Sequence, residues 1–224
     1  MNKDNFYKLY NDVEDINNII NEFHKLYYYS SCIGGTWKNT KWMGVPIQKC
    51  PMDMIIYQEL IYSIRPDIII ETGTKVGGSA LFFANICDNI KHGQLITVDI
   101  DKVGKLPIHN RITYLNGSSV DNNIVDFIKH RCENKKVMVI LDSDHSEDHV
   151  LKELNIYSGF VSVGSYLIVE DTNISNSPVY GIEGKGPLEA VFKFINNNDN
   201  FVIDKSKEKF YFTFNPNGYL LRLK

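Results

Sequence analysis

The apolar residues of the chain fall into short runs that are separated by longer amphipathic stretches. Five runs predict β-strands, because each is nearly continuous in apolar residues and is bounded by polar turn residues. They cover residues 67–71, 94–99, 111–115, 137–142 and 165–171. Helical periodicity lies between most of them, over residues 78–90, 121–131 and 146–157. Apolar strands that alternate with helices indicate a mostly parallel sheet covered on both faces, a doubly wound α/β domain.

The N-terminal part of the chain precedes this alternation. From Phe6 to about Tyr29, apolar residues recur at steps of three and four, which predicts an amphipathic helix. A loop with glycines, prolines and two tryptophans follows, and residues 51–64 predict a second helix. We therefore divide the chain into an N-terminal helix and ordered loop, residues 1–50, and a main domain, residues 51–224. The first part is expected to pack on the core or on an oligomer partner.

The C-terminal residues predict further strands. Apolar and aromatic residues dominate 201–204, 209–214 and 219–223, and the turn sequence NPNG lies between the last two. Short turns join antiparallel strands, whereas parallel strands need long crossovers. The sheet is therefore expected to end in an antiparallel hairpin.

Composition limits the classes of function. The chain has 224 residues, 43% of them hydrophobic, which is enough for one domain with a buried core. Its formal net charge of -3 and its evenly scattered charges leave no basic stripe, so nucleic acid is not an expected partner. No segment approaches the roughly 20 apolar residues that span a bilayer. The four cysteines form no CxxC pair and suit reduced thiols: Cys32, Cys50, Cys87 and Cys132. We expect a soluble cytoplasmic protein that does not bind membranes.

The loop after the first strand of the α/β pattern carries the first candidate chemistry. It reads ETGTKVGG, so Glu71 and Gly73 precede a helix that begins near residue 78. A dinucleotide site would show GxGxxG here, and an acid would repel its pyrophosphate. The same acid suits a cationic ligand with an α-amino group, and Asp99 at the end of the next strand suits ribose hydroxyls. This pair of acids favours S-adenosylmethionine over NAD. We interpret Gly78 and Asp101 as a packing residue and a turn residue.

Acids also end the fourth and fifth predicted strands. Asp142 ends the fourth strand, and Glu170 and Asp171 end the fifth. If these strands are neighbours, about 4.8 Å apart, the three carboxylates emerge at the edge that carries the cofactor loop. Two carboxylates at about 4 Å repel by roughly 4 kcal/mol at an effective dielectric of 20, so a proton or a cation is needed. Oxygen ligands favour Mg²⁺ or a similar ion over zinc. Such an ion would activate a substrate hydroxyl for attack on a sulfonium methyl group.

His145 is the candidate general base. It lies three residues after Asp142, near the start of the following predicted helix. A helix N-terminus disfavours imidazolium, so we expect a neutral ring that accepts a proton from the substrate. A structural role for His145 is the alternative. We interpret Asp144 and Ser146 first as helix caps, and His149 as a surface or packing residue.

Several long motifs follow one another along nearly the whole chain. They are KWMGVPIQKCPMDMIIYQEL, IIETGTKVGGSALFFA, VMVILDSDHSEDHVLKEL, GSYLIVEDTNI, GPLEAV and FTFNPNGYLLR. In these motifs the chain resembles the cephalosporin hydroxylase / rhamnosyl O-methyltransferase family. The resemblance implies a Rossmann-like class I methyltransferase fold with a mostly parallel seven-stranded sheet. It also implies S-adenosylmethionine- and Mg²⁺-dependent O-methylation of a sugar, glycan or natural-product hydroxyl by a homo-oligomer.

The resemblance assigns roles to single residues. Asp142, Glu170 and Asp171 match the family's metal ligands, and His145 matches its proposed base. The identity of the acceptor stays open. The implied cofactor pocket, with the two serines at 118 and 119 beside the adenine, consists of Glu71, Gly73, Ser79, Asp99, Ser118, Ser119 and Asp142.

Alternatives remain at the level of sequence. Residues 172–187 follow two presumed metal ligands and contain glycines, so we interpret them as a lid over the acceptor, with an ordinary connecting loop as the alternative. An iron-dependent hydroxylase would need two histidines and one carboxylate. His145 and His149 are close in sequence, but that chemistry leaves Glu71 and its glycines unexplained. A catalytically silent S-adenosylmethionine-binding protein is the third interpretation.

Overall fold

Alternating strands and helices build one seven-stranded sheet with helices on both faces. A computed structural model describes residues 13–30, 35–101, 104–175, 178–180 and 184–224. The helices are α1 (Val13–Tyr29), α2 (Pro51–Ile64), α3 (Gly78–Asn89), α4 (Asn122–Cys132), α5 (Glu147–Tyr157) and α6 (Pro187–Asn196). A small hairpin, β1 (Lys41–Trp42) and β2 (Val45–Pro46), precedes α2. The main sheet contains β3 (Ile68–Thr72), β4 (Gln94–Asp99), β5 (Ile112–Asn116), β6 (Val137–Leu141), β7 (Tyr166–Val169), β8 (Phe201–Ile203) and β9 (Tyr219–Arg222).

The strand order of the main sheet is β5-β4-β3-β6-β7-β9-β8. β3 pairs in parallel with both β4 and β6, and β9 pairs antiparallel with both β7 and β8. The chain therefore runs outward from β3 in both directions, and the order reverses between β3 and β6. Ligands of doubly wound sheets bind at such a reversal, beyond the carboxyl ends of the strands. The predicted mostly parallel sheet with an antiparallel C-terminal pair is confirmed.

The strands bury side chains on both faces. Ile69 of β3 packs with residues of α2 and α3, whereas Ile68 and Ile70 pack on the other face with residues of α4, α5 and α6. All three isoleucines are buried. Burial on both faces explains why these strands read as continuous apolar runs. It also holds the carboxyl ends of the strands, and the residues that follow them, in fixed positions.

The segment before α2 packs on the sheet domain. The Trp42 indole N–H donates a hydrogen bond to Asn85 Oδ1 at 2.8 Å, and its ring centroid lies 5.0 Å from that of Phe82 in α3. A Cβ on Gly78 would lie 2.0 Å from the Pro46 carbonyl oxygen, which fits the interpretation of Gly78 as a packing residue. The β1–β2 hairpin therefore lies against the start of α3. The domain boundary at residue 50 stays a prediction.

Residues 209–214 form no strand, contrary to the prediction. The side chains of Phe212 and Phe214 pack on α1 instead, with 4.7 Å between the ring centroids of Phe212 and Phe23 and 5.7 Å between those of Phe214 and Tyr27. The aromatic alternation in this segment reflects contact with a helix, not strand pairing. The antiparallel pair consists of β8 and β9, and helix α6 was not among the predicted helices.

Helix α1 confirms the predicted N-terminal helix from Val13 to Tyr29. Residues 6–12 of that prediction, and Cys32, lie outside the described residues. The other three cysteines, Cys50, Cys87 and Cys132, are free thiols. In the described part of the chain, no helix combines the length and apolar character needed to cross a membrane.

Substitution of Gly73 tests the packing between the ends of β3 and β6. Gly73 has a φ of +89°, and a Cβ there would lie 1.8 Å from the Asp142 carbonyl oxygen. Gly44 has a φ of +84° and no atom within 4 Å of such a Cβ. Both alanine variants strain the backbone, at a cost of about 1–2 kcal/mol, but only Gly73→Ala adds a clash.

We expect Gly73→Ala to lower the free energy of unfolding by at least about 2 kcal/mol more than Gly44→Ala does. Urea denaturation of both variants and the wild type measures the difference. Equal losses would show that the ends of β3 and β6 do not pack closely.

Candidate active site

A cavity of about 780 Å³ opens at the carboxyl edge of the sheet, where the strand order reverses. This volume lies within the range of about 300–1,000 Å³ that is usual for small-molecule sites. Asp171 and His145 border the cavity. Of the residues predicted to bind the cofactor, six line it: Gly73, Ser79, Asp99, Ser118, Ser119 and Asp142. The structure therefore brings most of the predicted site residues to one place.

Asp99 connects two loops at the edge of the cavity. Its Oδ2 accepts a hydrogen bond from the backbone N–H of Lys75 at 2.6 Å, and its Oδ1 accepts one from the backbone N–H of Asp101 at 3.0 Å. Each carboxylate oxygen has a further lone pair. Asp99 can therefore accept additional hydrogen bonds from a ligand in the cavity. The contact with Asp101 fits the interpretation of that residue as part of a turn.

Glu71 lies below the cavity and is not among its described lining residues. The side chain is fully buried, and its Oε2 accepts a hydrogen bond from the Thr97 hydroxyl at 2.6 Å. Its Oε1 makes no hydrogen bond within the described residues. Burial raises the pKa of Glu71 to about 7, against the opposing effect of the Lys49 ammonium. The cofactor-binding role of Glu71 stays a prediction.

Asp142, His145 and Asp171 form a cluster that can hold a metal ion. One ligand atom of each lies within 4.8 Å of the others. His145 Nε2 is 3.4 Å from Asp142 Oδ1 and 3.5 Å from Asp171 Oδ2. The two aspartates follow β6 and β7, which are parallel neighbours, so their side chains leave the sheet at the same edge. The predicted convergence of strand-end acids is therefore present for these two residues.

The Glu170 carboxylate is directed to the protein interior. Its Oε1 accepts a hydrogen bond from the Tyr57 hydroxyl at 2.9 Å, and its Oε2 accepts one from the Lys49 ammonium at 2.6 Å. Lys49 also donates to Asp142 Oδ2. The side chain of Glu170 is only 3% exposed. Both of its oxygens are thus engaged by protein groups, and its role as a metal ligand stays a prediction.

Lys49 was missed by the sequence interpretation. It lies in the irregular segment before α2, where no periodicity indicates which residues are buried. Its neighbours Ile47 and Cys50 are buried in the structure, but the sequence of this segment does not indicate their burial. A buried lysine needs a charged partner, because an isolated ammonium is costly to remove from water.

The charges of the cluster leave an excess of negative charge. Burial raises the pKa values of Glu170 and Asp171. At Asp142 burial acts in the same direction and is the largest single effect, but Lys49 and His145 together outweigh it, so the pKa of Asp142 is lowered. Burial alone would lower the pKa of Lys49, whereas Asp142 and Glu170 raise it. If all three acids were ionised, they and the one ammonium would carry a net charge of -2, which one divalent cation beside a neutral His145 would balance.

The environment of His145 corrects one expectation. The ring precedes α5, whose N-cap is Ser146, and was expected to stay neutral because of the helix N-terminus. Burial does lower the pKa of His145, but the nearby Asp142 and Asp171 carboxylates outweigh burial and raise it to about 9. The acids at the ends of β6 and β7 therefore dominate over the helix terminus. His145 becomes a neutral acceptor only when another positive charge balances those acids.

The neighbouring polar residues have local structural contacts. Asp144 Oδ1 accepts a hydrogen bond from the backbone N–H of Ser146 at 2.7 Å, which fits a capping role. His149 Nε2 lies 3.2 Å from Ser119 Oγ and 3.5 Å from Glu153 Oε1. His149 lines the cavity but is not part of the cluster of Asp142, His145 and Asp171.

Comparisons with known proteins match nearly the whole chain. The family model Rhamnosyl O-methyltransferase/CmcI matches residues 34–223. A protein named rhamnosyl O-methyltransferase from Mycobacterium bovis is 38% identical over 213 residues, covering 91% of this chain and 85% of the relative. A protein of the same name from Mycobacterium leprae is 36% identical over 212 residues, covering 91% of this chain and 90% of the relative. A solved structure of CmcI with Mg and SAM has a TM-score of 0.62 at 19% identity and covers 84% of this chain and 78% of that one. The structural similarity shows a shared fold.

The charge of His145 predicts a pH-dependent contribution to stability in metal-free protein. A pKa raised from 6.5 to about 9 means that protonation of His145 stabilises the fold. This contribution is complete below pH 6.5 and is lost as the pH rises through about 9. In a chelator, the wild type should therefore lose more unfolding free energy over this interval than His145→Gln.

Urea denaturation at several pH values measures this loss. His130→Gln is the control, because the His130 side chain is 77% exposed, and it should follow the wild type. Parallel pH profiles for the wild type and His145→Gln would refute the raised pKa.

Proposed function

The chain belongs to the Rhamnosyl O-methyltransferase/CmcI family, and from this membership we infer that it is an S-adenosylmethionine- and Mg²⁺-dependent O-methyltransferase acting on a sugar hydroxyl. The relatives from mycobacteria are named rhamnosyl O-methyltransferases, and CmcI was solved with Mg and SAM. One observation in the structure carries the proposal. The cluster of Asp142, His145 and Asp171 shares a single cavity with the loops that follow β3, β4 and β5.

We propose that these loops bind S-adenosylmethionine. Asp99 has free lone pairs for the ribose hydroxyls, and Ser118 and Ser119 lie at the end of β5 for the adenine. Gly73 lines the cavity, so a ligand can approach its backbone. Glu71 lies below the loop and has an oxygen that lacks a hydrogen-bond partner among the described residues, and a cationic ligand nearby would favour its ionised form. This donor and acceptor set suits a cationic nucleoside.

Asp142 and Asp171 would hold the divalent cation. Both offer carboxylate oxygens next to the cavity, which is the ligand type that Mg²⁺ prefers. The ammonium of Lys49 binds the other oxygen of Asp142 and so fixes the direction of its carboxylate. A bound divalent cation would lower the pKa of a substrate hydroxyl.

His145 would take the proton that the substrate hydroxyl loses. Its Nε2 lies within 3.5 Å of both aspartates, so the ring is held beside the carboxylates that would bind the cation and, through it, the hydroxyl. As His145 took up the proton, the substrate oxygen would form a bond to the methyl carbon, and the bond from that carbon to the sulfonium sulfur would break. The products are a methyl ether and neutral S-adenosylhomocysteine. Positioning of the two reactants is the main contribution of the protein to the rate.

The alternative interpretations have weaker support. An iron-dependent hydroxylase needs two histidines on one face of the metal, but His149 contacts Ser119 and Glu153 and stands apart from the cluster. A catalytically silent protein would retain the cofactor loops without methyl transfer. A measurable rate of methyl transfer would exclude the catalytically silent protein.

We propose that residues 172–187 cover the acceptor. In the described part of this segment, Ile174, Val179 and Tyr180 line the cavity, and the Tyr180 backbone N–H donates a hydrogen bond to the Tyr29 hydroxyl at 2.7 Å. This contact joins the segment to α1. Residues 176–177 and 181–183 lie outside the described part.

We also propose a cytoplasmic homo-oligomer. The buried free thiols of Cys50 and Cys87 suit a reducing compartment. On α1, Ile19, Phe23 and Leu26 are exposed, and such apolar surface suits assembly with a second copy.

Substitution of Asp142 tests the metal role. Asp142→Asn keeps the size of the side chain but removes a charge, so we expect a loss of methyl transfer of at least about 100-fold. Formation of S-adenosylhomocysteine with methyl α-L-rhamnopyranoside as acceptor measures the rate. Asp148→Asn is the control and should keep wild-type activity, because Asp148 is exposed on α5.

Removal of the metal is a second test. The activity of the wild type should disappear in a chelator and return when Mg²⁺ is added. Undiminished turnover in the chelator would refute metal dependence.

Substitution of Asp99 tests the cofactor site. Removal of hydrogen bonds to a charged group costs about 1.5–3 kcal/mol, so Asp99→Ala should weaken S-adenosylmethionine binding by about 10- to 150-fold. Titration calorimetry measures the affinity. Asp101→Ala is the matched control at the same turn and should change the affinity by less than about threefold. A similar weakening in both variants would assign the effect to the turn and not to ribose binding.

A further inference from the structure

The end of the cavity away from β4 and β5 is aromatic. Tyr28 from the end of α1, Trp37 from the turn at Thr36–Asn39, and Phe214 near β9 all line it, and we call these three residues the aromatic wall. The ring centroids of Tyr28 and Trp37 lie 5.8 Å apart in a stacked arrangement, and those of Tyr28 and Phe214 lie 5.1 Å apart. The wall is thus a continuous packed surface contributed by segments outside the α/β alternation.

The aromatic wall lies next to the acid cluster. The Asp171 backbone N–H donates a hydrogen bond at 3.1 Å to the side chain of Asn215, the residue that follows Phe214. Tyr28 and Trp37 line the same cavity as Asp142, His145 and Asp171. A ligand that packs on the wall therefore lies in the cavity that holds the acid cluster.

The charge of the lining indicates which ligand suits the wall. Among the described lining residues, Lys75 is the lone lysine or arginine, and it belongs to the loop after β3 at the cofactor end. A nucleotide-linked sugar carries a diphosphate, which would need basic partners and would be repelled by Asp142 and Asp171. A neutral sugar presents an apolar C–H face to an aromatic ring and hydroxyl groups at its edge. Aromatic surface with a few polar groups is the usual composition of a site for such a molecule.

We propose that Tyr28 and Trp37 form the acceptor subsite and bind an uncharged pyranose by its apolar face, with the reacting hydroxyl directed to Asp142 and Asp171. This proposal rests on the function proposed above and names the part of the chain that selects the acceptor. The sugar is then a glycoside whose anomeric carbon is already attached to a neutral group. A glycosyl transfer must therefore precede the methylation.

The two tryptophans of the chain allow a direct binding test. Trp42 packs on Phe82, bonds to Asn85 and is not among the described lining residues of the cavity. In a Trp42→Phe background, Trp37 is the sole tryptophan. This protein is titrated with methyl α-L-rhamnopyranoside in the presence of S-adenosylhomocysteine and Mg²⁺. We expect the fluorescence emission of Trp37 to change and to reach saturation.

Kinetics provide a second readout. Trp37→Ala should raise the KM for the rhamnoside by about tenfold, change kcat by less than about threefold and leave the affinity for S-adenosylmethionine unchanged. Trp37→Phe should restore most of the affinity for the acceptor, and Trp42→Phe should behave as the wild type. The unchanged cofactor affinity shows that the variants are folded.

The outcomes distinguish the two proposals. One outcome is that the wild type methylates the rhamnoside while Trp37→Ala has the wild-type KM and the emission of Trp37 does not change on addition of the rhamnoside. That result would refute the acceptor subsite and leave the proposed function standing. A higher kcat/KM for nucleotide-linked rhamnose than for the rhamnoside would refute the uncharged acceptor. If the wild type binds S-adenosylmethionine but methylates neither sugar, and emission does not change, both proposals fail.

Discussion

The buried ammonium of Lys49 is the interaction on which the whole site depends. It bonds to Asp142 and Glu170 together, two acids that end neighbouring parallel strands. Without this positive charge the acids would repel one another in a poorly solvated environment, and at least one would be forced to take up a proton. Removal of one partner from a buried ion pair typically costs about 3–5 kcal/mol. Lys49 therefore allows the fold to keep three carboxylates at one edge of the sheet.

This arrangement gives the acids different tasks. Glu170 has both oxygens occupied by Tyr57 and Lys49, so in this structure it anchors the lysine. Asp142 uses one oxygen for Lys49 and has the other close to His145. Asp171 and His145 border the cavity. The cluster thus has an interior side that sets positions and an open side where a cation and a hydroxyl group can meet. A shift of Asp142 would disturb both sides together.

The sequence predicted the features that follow from local periodicity and missed those that depend on distant contacts. Apolar runs identified the central strands, and the end of each strand located Asp99, Asp142 and Asp171 at one edge. Lys49 bonds to residues 93 and 121 positions away, and no pattern in its own loop indicates those partners. The protonation of His145 depends on Asp171 from the neighbouring strand, which an argument from the helix N-terminus alone ignores. Residues 209–214 were wrongly predicted as a strand because their aromatic residues pack on α1.

The position of Lys49 in the chain has a consequence for how such enzymes diversify. Trp37 and Lys49 belong to the same short stretch before α2, while the cofactor loops and the aspartates belong to the α/β alternation. If Trp37 contacts the acceptor as proposed, part of the acceptor choice is encoded in the stretch before α2, apart from the aspartates and the cofactor loops. Natural variation in the stretch before α2 can alter which sugar is accepted, provided that Lys49 is retained.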